Sequence, residues 1–197
     1  MKFLLINASP HENGGTARAL LEAKSELEKS GDKATVCWIG KEPRYACLSC
    51  GGCKSGRKCV IGDLDGLYPL IRECDGFLFG TPTHYAGATG NLLAVLSRLC
   101  FSAKELLLNK PAATVAVARR GGAVNALYEV NKFFGFCSMI TVGGCYPPII
   151  YGDNDPEGMQ NVRSVSNMLR WIASCIKNGK ENGIFPPEEE IRIKANL

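Results

Sequence analysis

Short, uniformly apolar runs alternate with longer amphipathic stretches along this chain. The runs are KFLLIN (2–7), KATVCWI (33–39), DGFLFGTP (75–82), AATVAVA (112–118) and SMITVGG (138–144). Runs of this length that lack polar alternation predict strands buried on both faces. Between them, GTARALLEAKSELEKSG (15–31) has helix formers, polar positions on one face and a glycine stop. TGNLLAVLSRLC (89–100) spaces Leu92, Leu93, Val95, Leu96 and Leu99 helically, and VNALYEVNKFFGF (124–136) predicts another helix. A long last helix is expected over 158–179, with Val162, Val165, Met168, Leu169, Ile172 and Ile176 on one face. A shorter one is expected from Pro69 to Glu73, with Asp63 or Asp65 ahead of it, because proline is tolerated in a first turn.

Strands alternating with helices predict an α/β fold, a parallel sheet covered on both faces. Five strands fit the 2-1-3-4-5 order of a flavodoxin-like three-layer sandwich. Ligands then bind outside the carboxyl ends of the strands, at the switch point between strands 1 and 3. Residues 1–197 are expected to form one domain with a cysteine-rich loop at 41–62. The tail GIFPPEEEIRIKANL (183–197) reads as an extended arm or a packed terminus.

Composition narrows the partners. The net charge of +4 is spread along the chain without a basic run, which disfavours nucleic acid. No apolar stretch reaches the ~18 residues that span a bilayer. MKFLLINASP has an apolar run of about four residues, too short for a signal peptide, so a cytoplasmic protein is expected. In that compartment ten cysteines are not expected to form disulfides.

Chemistry is expected in the loops after strands 1, 3 and 4. NASPHENGGTA (7–17) supplies Ser9, Asn13, Thr16 and two glycines at a helix N-terminus, which suits an anion such as a phosphate. It matches neither the P-loop nor the dinucleotide fingerprint. GTPTHYAGATGN (80–91) is long and glycine-rich, with Pro82, His84 and Tyr85, and offers room for a flat heteroaromatic ring. ARRGGA (118–123) puts Arg119, Arg120, Gly121 and Gly122 at another helix start, where they would stabilise negative charge on a ring edge. Each segment also reads as an ordinary connection, and His11 and His84 read as rim residues rather than bases.

CLSCGGCKSGRKC (47–59) places Cys47, Cys50, Cys53 and Cys59 in thirteen residues, with glycines that let the backbone curl. Thiolates are soft ligands, suited to zinc or to iron–sulfur clusters. Zinc sites more often pair two C-x-x-C units set further apart, whereas a last gap of five residues allows a self-contained four-ligand cluster. Zinc, a [4Fe–4S] cluster and no metal all remain open on spacing alone. The other six cysteines read as structural, with Cys145 placed to approach a bound ring.

Taken in order, NASPHENGGTA, GTPTHYAGATGNLLAVLSR and ARRGG resemble the three FMN-binding loops of NAD(P)H-dependent FMN reductases. The compact cysteine motif after strand 2 resembles that of the family's iron–sulfur flavoprotein branch. The resemblance implies an FMN-dependent oxidoreductase with its chemistry at flavin N5 and no catalytic side chain. It implies that Ser9, Asn13, Thr16 and Ala17 hold the phosphate. Pro82, Thr83, His84, Tyr85 and Asn91 would line the ring or ribityl chain, and Arg119, Gly121 and Gly122 its pyrimidine edge. The phosphate loop has His11 and Glu12 after Pro10 where the family often has a basic residue, leaving Arg18 as the substitute cation. The expected function is electron passage between FMN and a [4Fe–4S] cluster on Cys47, Cys50, Cys53 and Cys59, with NAD(P)H as a possible reductant. A small molecule or a ferredoxin-like protein would be donor or acceptor. A homodimer or homotetramer is expected, in which one subunit's cluster meets a neighbour's flavin. The rival readings are a cluster-free NAD(P)H-dependent FMN or quinone reductase and a flavodoxin-like carrier, the latter disfavoured by the basic charge.

Overall fold

The computed structural model describes residues 1–56 and 58–187. The chain runs β1 (Lys2–Asn7), α1 (Gly15–Glu28), β2 (Lys33–Trp38), then the cysteine loop with the one-turn helix α2 (Cys53–Gly56) and a 3₁₀ turn at Gly62–Leu64. It continues α3 (Leu67–Glu73), β3 (Gly76–Pro82), α4 (Gly90–Ser102), α5 (Lys104–Leu107), β4 (Pro111–Ala118) and α6 (Ala123–Phe136). β5 (Ile140–Thr141), β6 (Ile149–Tyr151) and α7 (Pro156–Glu181) follow. Beyond residue 187, the expected arm or packed terminus lies outside the described residues.

The sheet order is β2-β1-β3-β4-β5, and every pair is parallel. The 2-1-3-4-5 order expected from the alternation of elements is therefore present. α1 and α7 cover one face, packing Ala19, Leu20, Leu27, Val162 and Leu169 on Leu5 and Leu78. α3, α4 and α6 cover the other, with Tyr68, Leu92, Leu99, Val130 and Phe134 around Phe77 and Phe79. Successive strand residues serve opposite layers, so the two cores share a sheet but no side chains.

The fifth strand departs from expectation. SMITVGG does not form one strand. β5 pairs with the start of β4 (Pro111↔Ile140) and β6 with its end (Ala116↔Ile149), on the same edge. The residues between them, Gly143 to Pro147, leave the sheet, flanked by Val142 and Pro148, which still bond to β4. Glycine weakens a strand and proline has no N–H for the ladder, and this stretch contains Gly143, Gly144, Pro147 and Pro148. Gly144 backs onto α7, where an added Cβ would lie 3.1 Å from Ser164 Oγ and 3.2 Å from Val165 N. Cys145 therefore bulges from the middle of the edge rather than from the carboxyl end. Its Sγ contacts Asn161 Oδ1 at 3.7 Å.

The cap residues follow the sequence. Thr89 caps α4, its Oγ1 accepting from Leu92 N at 3.4 Å, and Asp155 caps α7, accepting from Gly158 N at 2.8 Å ahead of Pro156. α3 begins at Leu67 behind Gly66 with no side-chain cap, so Asp63 is left for another task.

Gly80 sits in the middle of β3 directly beneath α1. A Cβ there would lie 2.8 Å from Thr16 Cγ2 and 2.9 Å from Leu20 Cδ1, and both side chains are buried. Gly80→Ala is expected to destabilise the fold by about 1–3 kcal/mol through overpacking. Urea unfolding should show a lower midpoint at unchanged slope.

Candidate functional site

Parallel strands bring the loops after β1, β3 and β4 to one edge of the sheet. The first loop is fixed from within: Asn7 Oδ1 accepts from Ser9 N at 3.0 Å, and Ser9 Oγ from His11 N at 3.1 Å. Trp38 Nε1 donates to Ser9 O at 2.8 Å, and Thr89 Oγ1 to Ala8 O at 3.3 Å. Ser9, Thr16 and Ala17 are buried at this turn, while Asn13 is exposed. α1 starts behind Gly14 with no side-chain cap and no acidic residue in its first turn. Its first N–H groups and the positive end of its dipole thus face the loop. Arg18 does not stand free for an anion here; its Nη2 lies 2.5 Å from Asp153 Oδ1.

The loop after β3 is a tight two-residue turn. His84 and Gly87 exchange N–H···O bonds of 2.9 Å in both directions. Tyr85 and Ala86 between them both have positive φ, 49° and 62°. Such a turn ordinarily calls for Asn or Gly, so neighbours must enforce it. Asn125 Nδ2 donates to Ala86 O at 2.8 Å, and Glu129 Oε2 accepts from Ala88 N at 2.7 Å. Gly122, itself at φ 86°, lies so close that a Cβ would stand 2.4 Å from Ala86 Cα. The turn holds Tyr85 fully in solvent. Thr83, Tyr85, Ala86, Arg119, Arg120 and Gly121 line an open pocket of about 340 Å³. Thr83 Oγ1 is buried there with no partner among the described residues. Pro82 is half-buried at the strand end and His84 is exposed.

Asn91 does something other than expected. Its Nδ2 donates to Glu42 O at 3.0 Å and its Oδ1 accepts from Arg44 N at 3.2 Å, so both ends of the amide fasten the cysteine loop to α4. Farther along α4, Ser97 Oγ accepts from Cys47 N at 3.3 Å. Tyr68 Oη accepts from Cys59 N at 2.8 Å and lies 2.7 Å from Ser102 Oγ. The loop thus runs down α4 from the strand ends, at about 1.5 Å per residue of helix. Cys47, Cys50, Cys53 and Cys59 all line one cavity of about 210 Å³, closed by Leu48, Val60, Arg98 and Phe101. All ten cysteines are free. Burial pushes the thiols of Cys37 and Cys74 up, Cys74 to about 11, which keeps them protonated and unreactive.

Arg98, Asp63 and Arg44 escaped the sequence reading. Arg98 Nη1 and Nη2 donate to Asp63 Oδ1 and Oδ2 at 2.5 and 2.8 Å, and Arg44 Nη1 reaches Asp63 Oδ2 at 3.0 Å. The visible signal was a lone arginine in the apolar run LLAVLSRLC. Glu129 and Asn125 were likewise missed; their i, i+4 spacing puts them on one face of α6.

A parallel 2-1-3-4-5 sheet flanked by helices on both faces defines a flavodoxin-like fold. Residues 1–152 match the model of the NADPH-dependent FMN reductase family, and the chain belongs to that family. It is similar to an iron–sulfur flavoprotein of Methanocaldococcus jannaschii, 27% identical over 196 residues that cover 90% of this chain and 100% of the relative. It is also similar to one of Archaeoglobus fulgidus, 30% identical over 201 residues, covering 100% of this chain and 89% of the relative. These relatives place it in the iron–sulfur flavoprotein branch. Among solved structures, a WrbA-like flavodoxin from Agrobacterium tumefaciens superposes with a TM-score of 0.61 at 19% identity, covering 86% of this chain and 98% of that one. That likeness concerns the fold. The protein is a flavin-dependent oxidoreductase with FMN as the family's cofactor.

Hydrogen bonds from Arg98, then from Arg44, hold the Asp63 carboxyl below its ordinary value of 3.8. A depressed carboxylate stabilises the fold above its unfolded pKa, and that contribution is lost as pH falls through the lower folded value. Asp63→Asn leaves the Arg98 guanidinium buried without its anion, at a cost of about 3–5 kcal/mol near pH 7. In urea unfolding the gap between wild type and variant should stay constant from pH 7 to near pH 4 and close only below that.

Proposed function

We propose that the protein passes electrons between a bound FMN and a [4Fe–4S] cluster held by Cys47, Cys50, Cys53 and Cys59. The observation that carries this reading is that four cysteines of one loop line a single cavity of about 210 Å³, in a chain of the NADPH-dependent FMN reductase family. Four soft thiolate donors around one cavity suit a cluster, and similar proteins are iron–sulfur flavoproteins. FMN also fits the loops: Thr83 Oγ1 is buried without a partner among the described residues, and α1 starts with no side-chain cap and no acidic residue in its first turn.

When bound, FMN supplies two-electron hydride chemistry and the cluster one-electron transfer, so together they convert between the two. The protein positions and shields. Ser9, Thr16 and Ala17, with Asn13 at the rim, hold the phosphate through backbone N–H and hydroxyl groups at the start of α1. Pro82, Thr83, His84 and Tyr85 wall the ring, and Thr83 Oγ1 meets its polar edge. Arg119, Gly121 and Gly122 set positive charge and free N–H groups at the pyrimidine side. Asn91 acts at one remove, by pinning the cysteine loop. NAD(P)H is the proposed two-electron reductant and a small one-electron carrier protein the partner of the cluster, in a cytoplasmic protein. A homodimer or homotetramer is part of this reading, and the exposed apolar Leu48, Val60 and Phe101 around the cysteine cavity support it.

Anaerobic reconstitution with iron, sulfide and FMN tests this. The expected product carries about four irons and one FMN per chain, with broad visible charge-transfer absorption beside the flavin bands. Cys50→Ser should lose the iron and keep the FMN. A reconstituted wild type with FMN, no iron, and rapid NAD(P)H oxidation would leave a cluster-free reductase as the function.

A further inference from the structure

The buried face of α4 is apolar but for the Ser102 hydroxyl and one ion. Arg98 is 1% exposed and is among the largest fully buried side chains. It also lines the cavity onto which all four cysteines open. Besides its two bonds to Asp63, its Nη1 lies 3.8 Å from Cys59 Sγ. Its Nε is buried without a partner among the described residues. The Asp63 carboxylate is already bound by the half-buried Arg44. Two guanidinium charges against one carboxylate leave a surplus positive charge beside the thiols.

Fastening the loop does not require that charge. A leucine at this point of α4 would pack without desolvating an ion, and replacing buried ion pairs by well-packed apolar groups is often neutral or stabilising. Asn91, Ser97 and Tyr68 already tie the loop to the α3–α4 layer through neutral hydrogen bonds. What the guanidinium adds is a fixed cation in a low-dielectric wall, where charge acts with little screening. It stands next to the group on which negative charge accumulates.

We propose that Arg98 is a positioning residue of the cysteine site that sets its redox poise, holding a cation against Cys59 so that the reduced cluster is favoured. The inference rests on the reading of Cys47, Cys50, Cys53 and Cys59 as cluster ligands. One electron, delivered from reduced flavin or a one-electron carrier, adds one unit of negative charge to a four-thiolate cluster. No bond breaks and no proton is required. A cation hydrogen-bonded to a ligating sulfur stabilises the more negative state, because hydrogen bonds to sulfur and local charge tune such centres. Asp63 acts oppositely: it orients the fork of Arg98 and offsets part of its charge.

The test is a redox titration of reconstituted wild type, Arg98→Met, Arg98→Lys and Asp63→Asn, with cluster and flavin followed separately by spectroscopy. Arg98→Met is expected to shift the cluster's one-electron equilibrium toward the oxidised form tenfold or more, a fall of about 59 mV per tenfold. Arg98→Lys, which keeps the charge, should show less than half that shift. Asp63→Asn should shift the equilibrium the opposite way, and the flavin potential should not move. A purely structural role would not produce opposite signs from two partners of one ion pair. Should Arg98→Met fail to fold, Asp63→Asn and Arg98→Lys still carry the comparison of signs. A loaded wild type whose variants titrate at the same potential overturns the inference alone. A wild type that binds FMN but takes up neither iron nor sulfide overturns it together with the cluster reading.

Discussion

Every strand of this sheet points the same way, and the site follows from that constraint. A parallel sheet brings all its carboxyl ends to one edge, so three loops distant in sequence meet there. The edge is also cross-linked. Ala8 N donates to Gly80 O at 3.0 Å, Thr83 N to Val117 O at 2.7 Å, and Gly152 N to Ala118 O at 3.0 Å, each just past a strand end. The loops thus start from fixed points. That rigidity permits the strained turn at Tyr85 and Ala86, which Gly122, Asn125 and Glu129 hold from α6.

The cysteine loop has no strand to hold it, and α4 takes over that task. The helix is capped by Thr89, which also binds the loop after β1. Two residues later Asn91 grips the root of the cysteine loop, Ser97 binds Cys47, Arg98 reaches Cys59, and Ser102 supports Cys59 through Tyr68. One helix therefore sets the position of two sites. Its N-terminus meets the loop after β1, and its middle forms a wall of the cysteine cavity. Because helices are stiff, the separation between the sites is set by backbone geometry rather than by loop conformation.

Much of this was legible from periodicity. Four of the five apolar runs became strands, and the sheet order followed from their alternation with helices. The fifth run failed where Gly143 and Gly144 precede Pro147 and Pro148, residues that cannot sustain a ladder. The signal was present but was outweighed by Met139, Ile140 and Val142. The cysteine spacing pointed to a shared site, and the four residues do line one cavity. What spacing could not show was direction. Asn91 sits at the start of α4, where a ring-lining role looked natural, yet both ends of its amide turn to Glu42 and Arg44, which are close only in the folded chain. Arg18 faced the same ambiguity and pairs with Asp153 instead.

Charge placement separates the two sites. At the carboxyl edge of the sheet the loop after β4 carries Arg119 and Arg120, both exposed, where water screens them. At the cysteine cavity the cation is Arg98, almost wholly buried and fixed by a carboxylate fork. A mobile, screened charge suits a group whose binding must accommodate several polar atoms of a large cofactor. A fixed, unscreened charge suits a centre that changes only by one electron, since it favours one charge state over the other without moving. The fold separates these needs by placing one cation pair on a loop and the other cation inside a helix-lined wall.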